Sequence, residues 1–167
     1  MARIAIKTVE ELRPQVEQTL AAQWARLLRL APGADIQHIG STSIPGTVTK
    51  GDIDVAVRVP AADFEPTVAS LRSAYEVAQP QNWSATFASF KDDATGPLPF
   101  GVQVMVIGSE TDHLVALRDL LIRDPAARAR YNEVKQQHDG LDPDTYWQAK
   151  DRVIASLLAQ LKANPQP

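Results

Sequence analysis

The chain has 167 residues, 44% of them hydrophobic and 22% charged, which fits one compact domain able to bury roughly two thirds of its unfolded surface. With 17 basic against 20 acidic side chains the formal charge is -3, so there is no broad cationic surface to hold a nucleic-acid backbone, and a nucleic-acid partner is disfavoured. Zero cysteines exclude disulfides, thiolate zinc sites, iron–sulfur clusters and a cysteine nucleophile, leaving oxygen ligands or the three histidines for any metal.

Thr8 and Glu11 have the form of a capping box ahead of Val9, Leu12, Val16, Leu20, Trp24 and Leu27, an apolar series stepping by three or four residues. This predicts a helix. Pro14 lacks a backbone donor and clashes with the preceding turn, so the regular helix is expected to begin near Arg13. Pro32 and Gly33 end it, and Asp35 to Ile39 reads as a short strand. After a Ser/Thr/Gly/Pro segment from Gly40 to Gly51, Ile53, Val55, Val57 and Val59 alternate as a half-buried strand that Pro60 closes. Asp63 is a candidate cap for a helix carrying Phe64, Val68 and Leu71. Trp83 to Phe90 and Val102 to Ile107 read as two strands of a hairpin joined by Lys91 to Pro99.

Three helical segments follow, with Leu114, Leu117, Leu120 and Leu121 on the first, Ala127, Tyr131 and Val134 on the second, and Tyr146, Val153, Ile154, Leu157 and Leu161 on the third. Asp124-Pro125 and Asp142-Pro143 are N-cap and first-turn pairs that separate them. Residues 1–161 are expected to form one domain and 162–167 a flexible tail. Nothing repeats at a fixed period. The pattern is α+β, a sheet covered on one face by helices with a helical C-terminal segment. No apolar run approaches the roughly 20 residues of a membrane span, and Met1 to Ile6 carries no signal-peptide core, so no membrane association and a cytoplasmic location are expected.

The chemistry-bearing stretch is His38-Ile39-Gly40-Ser41-Thr42-Ser43, followed after a loop by Asp52-Ile53-Asp54-Val55. Asp52 and Asp54 lie two apart on a strand, so their carboxylates share a face and can hold one hard cation or two adjacent ones, as magnesium requires. Gly40 and Ser41 end the preceding strand. If a short helix starts at Ser43, backbone N–H groups and hydroxyls can close on a phosphate beside the metal pair. Phosphoryl and nucleotidyl transfer need that combination.

An apolar residue, Gly-Ser, a loop of about ten residues and then Asp-apolar-Asp-apolar resembles the signature of the nucleotidyltransferase fold of the DNA polymerase β-like superfamily. More narrowly, residues 38–46 are similar to the opening motif of the GrpB family. Val115 to Leu121 resembles that family's Phe-Arg-Asp-Tyr-Leu helix, and Tyr146 with Ala149-Lys150 resembles its closing motif. The resemblance implies a nucleotidyltransferase-like mixed β-sheet covered by helices. It also implies a nucleoside triphosphate as ligand or substrate with Mg2+, and transfer of a nucleotidyl group to an unidentified small-molecule or protein hydroxyl. On it, Gly40, Ser41 and Ser43 would meet phosphates, and Asp52 and Asp54 would be catalytic metal ligands. Asp52 departs from many relatives, which have an apolar residue there. Gly101-Val102-Gln103 stands where relatives are expected to carry His-Leu-His, and Phe100 to Val106 supplies no third carboxylate and no base.

Lys50, Arg118 and Lys150 are candidate anion binders, and His38 and Gln103 candidate site-lining residues, each with an ordinary alternative in a solvated loop, a surface ion pair or a strand hydrogen bond. Trp83 and Phe90 could stack a base, although packing against helices is the commoner use of such aromatics. The missing third carboxylate supports an alternative function, a non-catalytic domain binding a nucleotide or a coenzyme A-like ligand. The family's occurrence fused to some dephospho-coenzyme A kinases is consistent with that. A third reading, a partner-binding domain with a decorative acidic pair, finds no support in the pattern.

Overall fold

The structure is a computed structural model that describes residues 5–165. Met1–Ile4 of the leader reading, and Gln166 and Pro167 of the expected tail, lie outside the described residues. Strand β1 (Lys7–Thr8) leads into α1 (Val9–Leu30), and β2 (Asp35–Ile39) ends at a 3-10 turn over Ser41–Ser43. Strands β3 (Val48–Thr49) and β4 (Ile53–Val59) precede α2 (Phe64–Arg72), β5 (Glu76–Val77), β6 (Phe87–Asp92) and β7 (Phe100–Val106). Helices α3 (Leu114–Arg123), α4 (Pro125–Gln137) and α5 (Pro143–Ala163) complete the chain.

Helix α1 begins at Val9, not near Arg13. Thr8 Oγ1 accepts the Glu11 N–H at 3.2 Å, while Glu11 Oε2 accepts the Thr8 N–H at 2.7 Å. With its first turn closed this way and Val9, Leu12 and Val16 buried, the helix carries Pro14 despite a cost of about 3 kcal/mol for an interior proline. Asp63 makes no side-chain capping bond, because a 3-10 turn over Ala61–Asp63 already feeds the chain into α2. Asp124 and Asp142 cap α4 and α5 as expected. Residues 83–86 are not strand, since Trp83 instead donates its indole N–H to Ala78 O at 3.0 Å and packs on Phe90. Lys162 and Ala163, assigned to a tail from the sequence, form the end of α5.

The main sheet has the order β2-β4-β7-β6-β5, antiparallel throughout except for the parallel pair β4 and β7. Alternation then sorts the side chains. Ile53, Val55, Val57 and Val59 of β4, with Phe100, Val102, Val104 and Val106 of β7, meet Leu12, Val16 and Leu27 of α1 and Phe64, Val68 and Leu71 of α2. The opposite face is not left bare, as the one-sided expectation had it. Ile39, Ala56 and Met105 are buried there beneath Leu114 and Val115 of α3. Beyond that edge α3, α4 and α5 share a core of Leu117, Leu121, Tyr131 and Leu157, into which Ile44 of the loop inserts. This is the expected α+β architecture, with its helical C-terminal segment closed over the Gly-Ser turn. Among the described residues no helix is long and apolar enough to cross a membrane.

Candidate functional site

The second face of the sheet places the site, because Asp54 and Ala56 of β4 and Gly101, Gln103 and Met105 of β7 all point that way. The parallel register sets Asp54 beside Gly101 and Ala56 beside Gln103. Strand β2 ends alongside, with Ile39 opposite Asp54, so the Gly40 backbone leaves the sheet directly over the carboxylate. A Cβ at Gly40 would lie 2.8 Å from Asp54 Oδ2, and one at Gly101 would lie 2.9 Å from Asp54 Oδ1. Two glycines therefore make the slot that Asp54 occupies. Gly40 also has φ 73° and ψ -177°, a combination essentially confined to glycine.

The loop is braced from within and from α4. The Ser43 N–H reaches Gly40 O and the Ile44 N–H reaches Ser41 O, both at 3.1 Å, while Thr47 Oγ1 donates to Ser41 O at 2.7 Å. Asn132 holds both sides of residue 47, accepting from the Val48 N–H at 3.0 Å and donating to Gly46 O at 2.8 Å. No helix starts at Ser43. The turn is a single 3-10 turn over Ser41–Ser43, and the N–H groups of Ser43 and Ile44 are used in closing it, so those two are not free for a phosphate.

Gly40, Ser41, Asp54, Gln103, Arg118, Tyr131 and Lys150 line one cavity of about 100 Å³, whose apolar wall includes Ile44, Leu117 and Ile154. Gln103 Nε2 donates to Asp54 Oδ1 at 3.4 Å, a long bond that leaves the other carboxylate oxygen free to face the cavity. Burial pushes the Asp54 pKa above the ordinary carboxylate value, Lys150 pulls it back, and Asp52 adds to the rise. Burial acts to lower Lys150, but Tyr131, Asp54, Tyr146 and Asp52 outweigh it and hold the ammonium above its usual pKa. Lys150 makes no ion pair within 4.0 Å among the described residues, so its charge is available to a ligand. Arg118 is more committed. It binds Asp119 Oδ1 through Nε at 2.9 Å and Nη2 at 2.8 Å, and Nη1 donates to His38 O at 3.0 Å.

The remaining candidates from the sequence sit outside the cavity lining. Contrary to expectation, Asp52 is not on the strand with Asp54 but just ahead of β4, where its Oδ2 is 2.8 Å from Lys50 Nζ, and that ammonium lies 5.3 Å from the Trp147 ring centroid. Ser43 donates its hydroxyl to Gly40 O at 2.6 Å. His38 Nε2 is 2.9 Å from Thr42 Oγ1, and burial, helped by Arg118, pulls its pKa down to about 4. Trp83 and Phe90 pack with the helices on the opposite face of the sheet, away from the cavity.

Two site residues carry no motif. Lys135 is 1% exposed, donates to Ser41 Oγ at 2.6 Å and to Val48 O, and lies 4.7 Å from the Tyr131 ring centroid. Tyr131 OH is 3.1 Å from Ser41 Oγ. Burial, then Lys150 and Lys50, draw Lys135 down to about 6, against the pull of Asp52 and Asp54. Their one signal in the sequence is spacing, since Ala127, Tyr131 and Lys135 fall four apart on the buried stripe of α4.

A divalent cation would find an all-oxygen donor set in Asp54 and Asp52, which suits magnesium. No group of three or more His, Asp or Glu side chains able to hold a metal occurs among the described residues, so water and ligand oxygens would complete the shell. Two carboxylates with phosphate oxygens are a common magnesium environment, and of the two Asp54 lines the cavity while Asp52 is paired with Lys50.

Residues 6–160 match the family described as GrpB protein. The chain belongs to the GrpB family. A UPF0157 protein of Vibrio cholerae is 29% identical over 151 residues, covering 90% of this chain and 80% of that relative. A UPF0157 protein of Pseudomonas aeruginosa is 30% identical over 163 residues, covering 90% of this chain but 65% of the relative's length. The crystal structure of the conserved protein GrpB from Enterococcus faecalis superposes with a TM-score of 0.67 at 21% identity, over 93% of this chain and 98% of that one. The GrpB membership expected from residues 38–46, Val115 to Leu121, and Tyr146 with Ala149-Lys150 is thus shown.

Proposed function

We propose that this GrpB domain binds a nucleoside triphosphate with Mg2+, phosphate end first, and transfers its nucleotidyl group to a small-molecule or protein hydroxyl. The observation that carries this reading is the shared cavity, in which Asp54, seated between Gly40 and Gly101, faces Lys150, Arg118 and Ser41. Cationic side chains attract phosphate oxygens, and a carboxylate with an open oxygen beside them is useful to a phosphate ligand only when a cation lies between the two anions. Asp54 would hold that magnesium with Asp52, and the ion would neutralise charge gathering on the transferring phosphorus. Lys150 would bind the phosphate chain through its uncommitted ammonium, and Ser41 would orient it.

The cavity volume of about 100 Å³ compares with roughly 300–1,000 Å³ for pockets that enclose a whole small molecule. Phosphates would enter and the nucleoside would stay outside, so discrimination between bases is expected to be weak. A cytoplasmic location, where triphosphate and magnesium are plentiful, belongs to the same proposal.

Gln103 favours a second reading, binding without turnover of a nucleotide or a coenzyme A-like ligand. It occupies the strand neighbouring Asp54, where a third carboxylate would be expected, and it is neutral. Isothermal titration with each triphosphate, with and without magnesium, tests the shared part of both readings. Magnesium-dependent binding that Asp54→Asn weakens at least tenfold is the expected result, and binding that is unchanged in the Asp52→Asn/Asp54→Asn double variant would overturn the metal assignment. Pyrophosphate release across an acceptor screen separates turnover from binding alone.

A further inference from the structure

We propose that Ser41 is a nucleophile and Lys135 its base, so that the GrpB domain carries a nucleotidyl group covalently on Ser41 Oγ. This rests on the reading that a triphosphate enters the cavity, and it supplies the two parts that reading lacks, a proton acceptor and a first acceptor hydroxyl.

The arrangement is that of an activated nucleophile, with a hydroxyl in a cavity, an amine within hydrogen-bond reach and a third group fixing the amine. Ser41 lines the cavity, and its Oγ lies 2.6 Å from Lys135 Nζ. Lys135 is anchored on its far side by Val48 O. A serine hydroxyl has one proton and two lone pairs. When the Ser41 proton points to a neutral Lys135 amine and the Tyr131 hydroxyl donates to Ser41 Oγ at 3.1 Å, one lone pair remains on a residue that lines the cavity. The same cavity holds the Arg118 and Lys150 cations that would bind the phosphates of an incoming triphosphate.

The neutral amine has a physical cause. Lys135 is 1% exposed and makes no ion pair within 4.0 Å among the described residues. The charged and titratable groups around it are Lys150 on α5, Lys50 of the loop, Asp52 and Asp54 beside that loop and on β4, and Tyr131 on its own helix. Burial and the two lysines disfavour its charged form, while the two aspartates favour it. The protonated form is nevertheless provided for, because Val48 O accepts a hydrogen bond and the Tyr131 ring faces the ammonium. A base needs both states to be tolerable.

In the step, Ser41 Oγ forms a bond to the α-phosphorus of the nucleoside triphosphate. The bond from that phosphorus to the oxygen bridging to the β-phosphate breaks, and pyrophosphate leaves with the electron pair. The Ser41 proton passes to Lys135 Nζ. Nothing is oxidised or reduced, and the nucleotidyl group is left on the serine for a second hydroxyl or for water.

The test is acid-quenched intact-mass spectrometry of the full chain mixed with each nucleoside triphosphate and magnesium, sampled from seconds to an hour, with peptide mapping of any adduct. Titration of triphosphate binding is run beside it. The expected result is one nucleotidyl adduct on Ser41, absent in Ser41→Ala and formed at least 100-fold more slowly in Lys135→Met, which keeps the length of the side chain without its amine. Thermal melts of both variants and an adduct-forming Ser41→Thr control separate lost chemistry from lost folding. Triphosphate binding with no adduct, or an adduct on another residue, overturns the nucleophile and leaves the binding reading standing. Absence of any triphosphate binding overturns both.

Discussion

Replacing Gly40 with alanine tests the geometry on which the site depends. Two costs are separable. The backbone at φ 73° and ψ -177° is strained for alanine by about 1–3 kcal/mol. The new methyl would sit 2.8 Å from Asp54 Oδ2, and the carboxylate cannot retreat freely because its other oxygen already lies against Gly101. Displacing a buried carboxylate from its hydrogen bond adds about 1–3 kcal/mol, for a total of about 2–6 kcal/mol. Urea unfolding followed by circular dichroism at pH 7, with a denaturant slope near 2 kcal/mol/M, converts that to a fall in midpoint of about 1–3 M. Two controls divide the effect. Gly33→Ala has φ +80° but open space around its Cβ, so only a left-handed backbone cost of about 1–2 kcal/mol is expected. Gly101→Ala has no positive φ but places a methyl 2.9 Å from Asp54 Oδ1, so it reports the contact alone. If Gly40→Ala is no worse than Gly33→Ala, and Gly101→Ala leaves the midpoint unchanged, the glycine slot is not what seats Asp54.

The imidazole of His38 should stay neutral from pH 5 to 8, because burial and Arg118 hold its pKa near 4; an NMR titration with a His38 midpoint above 6 refutes this. Lys135 binds a proton more weakly folded, at about 6, than unfolded, at 10.5, so between these values the unfolded chain holds more protons and wild-type stability should rise with pH. The gain is up to about 1.4 kcal/mol per pH unit, and urea midpoints of wild type and Lys135→Met that keep a constant gap from pH 6 to 9 contradict it. Ile44, 1% exposed, ties the Gly-Ser loop to the helical cap, so Ile44→Ala should cost about 2–5 kcal/mol by denaturant unfolding, and a loss below 1 kcal/mol would show the loop to be held by its hydrogen bonds alone.

Much of the fold was legible because its signals are local. The Thr8 and Glu11 box, the alternation from Ile53 to Val59 and the Asp-Pro pairs at residues 124–125 and 142–143 each act within one element, and each appears where expected. Where a local rule failed, a competing local or tertiary term won. Pro14 argued for a later helix start, but a closed capping box and a buried first turn outweighed it. Trp83 to Phe90 read as strand, but the Trp83 indole N–H found Ala78 O and residues 83–86 stayed outside the sheet.

The candidate site divides the same way. The amino-acid order alone determined that a Gly-Ser turn precedes Asp52 and Asp54, that no thiol chemistry is possible and that the chain resembles the GrpB family. Only the tertiary structure decided which of these groups meet. Register placed Gly101 and Gln103 beside Asp54, and the packing of α3, α4 and α5 brought Arg118, Tyr131, Lys135 and Lys150 to a turn some 80 or more residues earlier in the chain. It also tied Asp52 to Lys50 and spent the Ser43 hydroxyl on its own turn. Periodicity reports which face of an element is apolar, and α4 shows its limit. Lys135 lies on the buried stripe because Ser41 Oγ and Val48 O, contributed by a distant loop, satisfy its amine, and neither partner is visible from the helix itself.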